Sequence, residues 1–368
     1  MKSLRRILVL SALGILAAAA AAAEQPKIIN ARLETRSVSG GLDAEIKAFT
    51  AAQQEPAWIG YAFPTTGRGH QSCCWNDNSE HYRNGCGHCA LESEHGSKYE
   101  GMQTNDSTGG AASLEGPEQM IALLRVADHK VGKVRMFSPD CEVDAGGLRV
   151  VWLTGVKPAE SVAALERIVL AGDFSDHDER HAAEGALSAI AMTGDPSADR
   201  ALEHFVAADR PEKLRSQTAF WLGNERGAPG LRVLEAMAKS DPSDKVKEQV
   251  AFAYSVSREP GALDDMIRMA KEDPSGHVRG QAMFWLAQKA GRKAAEFLSD
   301  AIENDPDTAI KKSAVFALYN MPREDGVPML IQVAKTNKNR EVRKQAFFWL
   351  GQTNDPRALA FFEEVLAR

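Results

Sequence analysis

The chain has 368 residues, a formal net charge of -6 and a sequence pI of about 5.9. This weakly acidic balance provides no basic surface of the kind that binds nucleic acid. About 345 residues follow the N-terminal segment described next, too many for one ordinary core unless the chain is a repeat array.

The first 23 residues have the features of a cleavable signal peptide. Lys2, Arg5 and Arg6 precede an unbroken apolar run over residues 7–23, which ends in three alanines before Glu24. The run is short for a membrane span and polar sequence follows it at once. We therefore expect cleavage between Ala23 and Glu24, no stable membrane span afterwards, and a periplasmic or secreted protein in which disulfides persist.

Residues 24–156 are predicted to form a small α+β domain that contains cysteine. Short alternating or apolar runs indicate strands, and one amphipathic stretch indicates a helix. In chain order the segments are KIINARLETRS, the helix LDAEIKAFTAAQ, AWIGYAF, MIALLRVADHKVGKVRMF with a turn at residues 128–132, and LRVVWLTGV.

A long segment rich in Gly, Ser, Asn and charge interrupts this domain over residues 64–118. A loop of that length inside a compact domain needs a tether. It contains four of the five cysteines and four histidines, and the fifth cysteine lies further along the chain. These residues are Cys73, Cys74, Cys86, Cys89, His70, His81, His88 and His95, with Cys141 downstream.

Three chemistries could use this set. The tetrapeptide CGHC from Cys86 to Cys89 resembles the active site of protein disulfide isomerases, but Gly85 stands where that family has tryptophan, and no long helix pattern follows. Alternatively, Cys86 and Cys89 could chelate zinc with two neighbouring Cys or His ligands. We favour a third interpretation, in which disulfides pin the loop and Cys141 is the distant anchor. Redox or zinc chemistry in this loop is the alternative.

A second histidine cluster follows in DFSDHDERH, where His177 and His181 are four residues apart. Metal binding is conceivable there. However, Asp176 and Glu179 have the spacing of a capping box, so we interpret the cluster as a helix start.

The C-terminal half is an internal repeat. Five phenylalanines recur at intervals of 32 residues without insertion or deletion: Phe220, Phe252, Phe284, Phe316 and Phe348. A degenerate copy one period earlier has Ser188 at the phenylalanine position. Each copy contains two amphipathic helix patterns, so residues 157–368 are predicted to form an α-solenoid of about six helix pairs.

These repeats resemble HEAT repeats of the short bacterial type, which are similar to those of phycobilin lyase-type proteins, although nothing marks a bilin site. In that family an Asp in the turn and a basic residue six positions later form ladders between neighbouring repeats. The matching pairs are Asp209/Arg215, Asp241/Lys247, Asp273/Arg279 and Asp305/Lys311, with Asn337/Arg343 as the departure.

The column after each phenylalanine alternates Ala189, Trp221, Ala253, Trp285, Ala317 and Trp349. Two indoles do not fit one layer of helices about 8–10 Å apart, so we expect these tryptophans to pack against alanines rather than bind a ligand.

The phenylalanines should point away from the partner helix of their own repeat. They either wedge between adjacent helices or form an apolar ladder on the concave face, edged by glutamines. The candidate partner groove comprises Gln217, Phe220, Gln249, Phe252, Gln281, Phe284, Phe316, Gln345 and Phe348.

The sequence thus predicts a mostly α protein, with a HEAT-like solenoid after a small α+β domain. We find no nucleophile–base set, phosphate-binding glycine loop or HExxH helix, and we expect no catalytic residue and no cofactor. Since HEAT arrays mostly serve as binding surfaces, the resemblance implies a non-enzymatic exported scaffold that binds another protein or peptide.

Overall fold

The computed structural model describes residues 27–66, 88–92, 118–139, 141–174, 176–289 and 291–367. The predicted signal peptide and most of the Cys/His loop lie outside the described residues. Within the described ranges the chain is mostly helical: one of its fourteen helices lies among the short strands and the other thirteen follow them. The predicted fold class is therefore confirmed. None of the helices in these ranges is both long and apolar enough to cross a membrane.

The N-terminal region contains eight strands and one helix among the described residues. They are β1 (Lys27–Ile29), β2 (Arg32–Ser37), α1 (Leu42–Ala52), β3 (Ala57–Pro64), β4 (His88–Ala90), β5 (Gln119–Ala127), β6 (Lys130–Phe137), β7 (Glu142–Asp144) and β8 (Arg149–Thr154). The predicted segments therefore fold as expected. The run KIINARLETRS is divided into two strands at Asn30, which has a positive φ of 48°.

Five strands form a mixed sheet in the order β2-β8-β3-β5-β6. β5 is antiparallel to β3 and β6, whereas β8 is parallel to β2 and β3. Asp128 and His129 join β5 to β6, and both have positive φ, 50° and 60°, as in a two-residue hairpin turn. This turn is shorter than predicted, because Lys130 already pairs with Ala127.

Side-chain alternation gives this sheet two buried faces. Ile59, Tyr61 and Phe63 of β3 belong to the core shared with the helices, while Trp58 belongs to a second cluster. The second cluster also contains Val143, from a smaller sheet in which β7 pairs in parallel with β1 and β4. The five-stranded sheet therefore lies between helices and the smaller sheet.

The remaining helices form two layers of a solenoid. Helices that open a pair are α2 (Pro158–Ala171), α4 (Pro196–Phe205), α6 (Gly227–Ser240), α8 (Ala262–Glu272), α10 (Gly291–Asn304) and α12 (Arg323–Thr336). Helices that close a pair are α3 (His177–Met192), α5 (Glu212–Glu225), α7 (Asp244–Val256), α9 (Gly276–Lys289), α11 (Thr308–Tyr319) and α13 (Arg340–Gln352). The last helix, α14 (Pro356–Leu366), follows the six pairs.

The closing helices lie side by side and bury equivalent positions of the repeat. Leu222, Leu286, Leu318 and Leu350 are each at most 1% exposed, and Tyr254 occupies the same column. A residue that recurs every 32 positions therefore enters the same layer of the core, which confirms the predicted apolar stripe.

Ion pairs join neighbouring repeats near α5 and α7. Arg215 makes two hydrogen bonds with Asp241 of the next repeat, 2.8 and 3.1 Å long, and Lys247 contacts Asp273 at 3.2 Å. Further along, Arg279 donates to the Asp273 carbonyl oxygen at 2.7 Å. The ladder implied by the HEAT resemblance is thus present as ion pairs at two steps, and the basic residue of the third step donates to the backbone.

The solenoid and the N-terminal sheet share one core. The predicted boundary at residues 156 and 157 falls between β8 and α2, yet a single buried cluster includes residues from both sides. Tyr61 accepts a hydrogen bond from Ser161 of α2 at 2.9 Å, and burial raises the pKa of the Tyr61 phenol. Gly185 of α3 lies so close to the Val134 carbonyl of β6 that any side chain there would overlap it.

Candidate binding groove

The predicted phenylalanines form a continuous row across the closing helices. Phe220 stacks on Phe252 and Phe284 stacks on Phe316, both with ring centroids 5.9 Å apart. Between these pairs, Trp285 lies 4.6 Å from Phe252 and 4.9 Å from Phe284. We call this row, with Trp221, Trp349 and Phe348 at its ends, the aromatic ladder.

The tryptophans bridge successive phenylalanine pairs. Trp349 repeats the position of Trp285, 4.9 Å from Phe316 and 4.9 Å from Phe348. Ala253 and Ala317, which alternate with the tryptophans, are completely buried. Trp285 and Trp349 pack against phenylalanines, while their predicted packing against alanines stays a prediction. The ladder repeats every two helix pairs because an indole is present in every second one.

The ladder combines both arrangements expected for the phenylalanines. Phe220, Phe252, Phe284 and Phe316 are half-buried, and they stack in two pairs, Phe220 on Phe252 and Phe284 on Phe316. Phe348, at the C-terminal end, is 54% exposed. The surface is therefore partly apolar and accessible along its whole length.

A groove of about 390 Å³ opens at the N-terminal end of the ladder. Residues of α3, α5 and α7 form its wall: Glu184, Leu187, Ser188, Ser216, Gln217, Phe220, Trp221, Gln249 and Phe252. The degenerate repeat explains its location. α3 has Ser188 where every later repeat has Phe, so the ladder ends at α5 and leaves space beside it.

Four of the predicted groove residues meet in this groove, namely Gln217, Phe220, Gln249 and Phe252. The other five lie further along the closing helices and do not line it: Gln281, Phe284, Phe316, Gln345 and Phe348. Sequence reasoning missed Glu184 and Trp221. The sequence feature that could have indicated the groove is the degenerate repeat, because Ser188 replaces a phenylalanine there.

The polar side of the groove is centred on one carboxylate. Gln217 Nε2 donates to Glu184 Oε1 at 2.5 Å, and Arg180 Nε lies 3.3 Å from the same oxygen. Gln217 Oε1 is buried and has no hydrogen-bond partner among the described residues. The Ser188 hydroxyl donates to the Glu184 carbonyl at 2.8 Å. The groove therefore joins aromatic rings to an acidic, amide-bearing wall.

The Cys/His loop is described only where it joins the sheets. Cys73, Cys74, Cys86, His70, His81 and His95 lie outside the described residues, as does the Cys89 side chain. Downstream of β4, Glu92 accepts hydrogen bonds from Trp58 Nε1 at 2.9 Å and from Arg125 at 2.7 and 3.0 Å. These contacts supply one tether for the loop.

Cys141 is completely buried and its sulfur is in a disulfide. Its partner lies outside the described side chains, so the predicted connectivity stays a prediction. Among the described residues, no three His, Cys, Asp or Glu side chains are placed to hold a metal ion. α3 begins at His177, directly after Asp176, as the predicted helix start requires.

Comparison with known proteins identifies the repeats. A family model described as HEAT repeats matches residues 231–318 and 295–368. No curated protein matches the chain.

Solved structures with a similar arrangement are distant. Human deoxyhypusine hydroxylase in complex with glycerol is 17% identical, with 57% of this chain and 80% of that chain covered and a TM-score of 0.31. Kap121p is 13% identical, with 52% of this chain and 25% of that chain covered and a TM-score of 0.32. Such low values add nothing about function to the family match.

Proposed function

We infer that the chain, whose residues 231–368 are HEAT repeats, is a binding protein that holds a segment of another protein on its closing helices. The observation that carries this inference is the half-buried aromatic ladder, which leads into an open groove at α3, α5 and α7. HEAT arrays are suited to protein interaction.

The chemistry of the ladder suits a polypeptide. Phe252 and Trp221 are half-buried and line the groove, so they offer apolar contact area, and the removal of such surface from water drives association. Gln217 and Gln249 carry side-chain amides, each able to donate and accept a hydrogen bond. A peptide needs both, because every non-proline residue presents one N–H and one C=O.

We propose that the protein is not an enzyme and needs no cofactor. Ser188 and Ser216 are the hydroxyl groups of the groove, and no histidine or lysine is among the described residues that line it. The Ser188 hydroxyl donates to the Glu184 backbone carbonyl rather than to a carboxylate, and a serine that no base activates is a weak nucleophile. The composition of the groove therefore favours binding over covalent chemistry.

We also propose export to the periplasm or beyond the cell, on the strength of the N-terminal sequence alone. A scaffold in that compartment gains from disulfides, and the buried, disulfide-bonded Cys141 supports a stapled loop. Thiol-redox or zinc chemistry at Cys86 and Cys89 stays the alternative hypothesis, and no described contact favours it.

Site-specific photo-crosslinking tests the binding function. A benzoyl-phenylalanine replaces Gln249, at the edge of the groove, or Lys239, an exposed residue of α6 on the other helix layer. In the native host, we expect a discrete crosslinked protein from position 249 and none from position 239. Equal crosslinking at both positions, or none at 249, would contradict a partner surface on the closing helices.

A further inference from the structure

The polar lining of the groove includes one buried hydrogen-bond acceptor that has no partner among the described residues. Glu184 Oε1 accepts a hydrogen bond from Gln217 Nε2 and lies 3.3 Å from Arg180 Nε. Gln217 Oε1 is buried and has no hydrogen-bond partner among the described residues. Reversing the Gln217 amide would place its oxygen against the carboxylate, so Glu184 fixes the orientation that leaves the acceptor unpaired. An unpaired amide oxygen therefore lies beside the Glu184 carboxylate, in a lining that also contains the donors of Ser216, Gln249 and Trp221.

The aromatic wall favours the same kind of occupant. Phe220, Trp221 and Phe252 line the groove, and an aromatic ring attracts a cation placed over its face. Their edges and Leu187 are apolar. A side chain with a hydrocarbon stem and a cationic, donor-rich head matches both walls.

Charged groups around the groove leave this match intact. Glu184 is the charged member of the described lining, and Arg180 approaches it from the same helix without lining the groove. Two repeats along, the equivalent Glu248 contacts His277 at 3.2 Å and lies outside the lining. Arg180 offsets part of the charge of Glu184. Gln217 Oε1 nevertheless has no hydrogen-bond partner among the described residues.

We propose that the groove receives the side chain of an arginine carried by the bound protein segment. Its guanidinium contacts Glu184 and Gln217, and its methylene stem lies along Phe220 and Trp221. Guanidinium supplies five donors in a plane that also stacks on aromatic rings. The volume of about 390 Å³ is within the range of small-ligand sites. This assignment rests on the proposed binding function and names the residue that the groove selects.

The test uses the intact chain and two blocked amino acids that differ only in charge and donors. Acetyl-arginine N-methylamide and its citrulline counterpart are titrated into 5-fluorotryptophan-labelled protein, and ¹⁹F NMR follows the Trp221 signal, assigned through Trp221→Phe. We expect the arginine probe to bind about tenfold more tightly, because charge-assisted hydrogen bonds and a cation–π contact are lost with citrulline.

Glu184→Gln should reduce that preference to about twofold or less, whereas the matched variant Glu248→Gln should leave it unchanged. Equal binding of the two probes by the unaltered chain overturns the arginine assignment, even if Glu184→Gln misfolds. If position 249 still crosslinks a protein in that case, the binding function stands and only the arginine assignment fails. If neither experiment gives the expected result, both the binding function and the arginine assignment are wrong.

Discussion

At the scale of single residues, the strongest links between repeats are buried charges. The side chains of Arg215 and Asp241 are 6% and 2% exposed, and two hydrogen bonds join them. Lys245 and Glu212 join the same two repeats at the surface, 3.8 Å apart, with Lys245 81% exposed. The contribution of each ion pair to the stability of the protein therefore depends on how deeply it is buried.

Asp241→Asn removes the buried negative charge while it preserves an oxygen for the Ser243 backbone N–H. We expect the free energy of unfolding, measured by urea denaturation, to fall by about 3 kcal/mol, because the Arg215 charge stays buried without a counter-ion. Lys245→Ala should cost less than about 0.5 kcal/mol. Similar decreases in the free energy of unfolding for both variants would show that the buried ion pair stabilises the protein no more than the exposed one.

The N-terminus of α14 depends on the charge of Asp355. The Arg357 side chain and then its backbone N–H donate to this carboxylate and lower its pKa from 3.8 to about 2. Since the folded-state pKa is depressed, the stabilisation is complete above pH 3.8 and is lost as the pH falls through about 2.

An NMR titration of the Asp355 carboxyl carbon should therefore give a midpoint near pH 2. The amide protection of α14 should fall over the same pH range. Arg357→Ala should move the midpoint back towards 3.8. A midpoint of 3.8 in the unaltered chain would mean that the hydrogen bonds do not hold in solution.

At the scale of elements, the spacing of the closing helices depends on small residues at the contact. Gly223 of α5 lies against the backbone of Ala253 in α7, and a side chain at this position would overlap the Ala253 carbonyl. Gly351 of α13 occupies the equivalent position four repeats later, where an added methyl group would have no described neighbour within 4 Å. Of these two glycines, only Gly223 therefore has a packing role.

Gly223→Ala should destabilise the protein by about 1–3 kcal/mol, because α5 and α7 must move apart. Gly351→Ala should instead leave stability unchanged or raise it by up to about 1 kcal/mol through helix propensity. Thermal and urea denaturation of both variants measure the difference. Equal effects would show that α5 and α7 do not approach each other this closely.

At the scale of the whole molecule, the sheet and the solenoid are joined by buried surface. α3 packs on β6 at Gly185, and the Thr66 N–H donates to the Met192 carbonyl at 3.0 Å. The first helix pair thus rests on the sheet where the later pairs rest on another repeat. Neither part can be removed without exposing apolar surface of the other.

A shortened chain that begins at Lys157 should therefore lose the order of α2 and α3. We expect weaker amide protection in residues 158–192, a lower melting temperature and binding of a hydrophobic dye, because the face that contacts the sheet is uncovered. The later repeats should stay protected and serve as the internal control. Unchanged protection of α3 would show that the solenoid folds independently from residue 157.

Local patterns in the sequence determined most of the elements of this protein. A helix or strand is encoded by the pattern within one short window. The 32-residue phenylalanine spacing therefore indicated the helix pairs, and short alternating or apolar runs indicated the strands. The HEAT resemblance followed from the same columns. Gln217, Phe220, Gln249 and Phe252 could be assigned to the groove because they occupy those columns.

Only the tertiary structure decided which columns meet. Arg279 donates to the backbone of Asp273 although the resemblance implied a ladder of ion pairs, and Ser188 becomes part of a groove only because Phe220 lines the same space. Glu184 belongs to the groove for the same reason. The offset and angle between packed helices depend on the complete set of contacting side chains, which no window of one element contains.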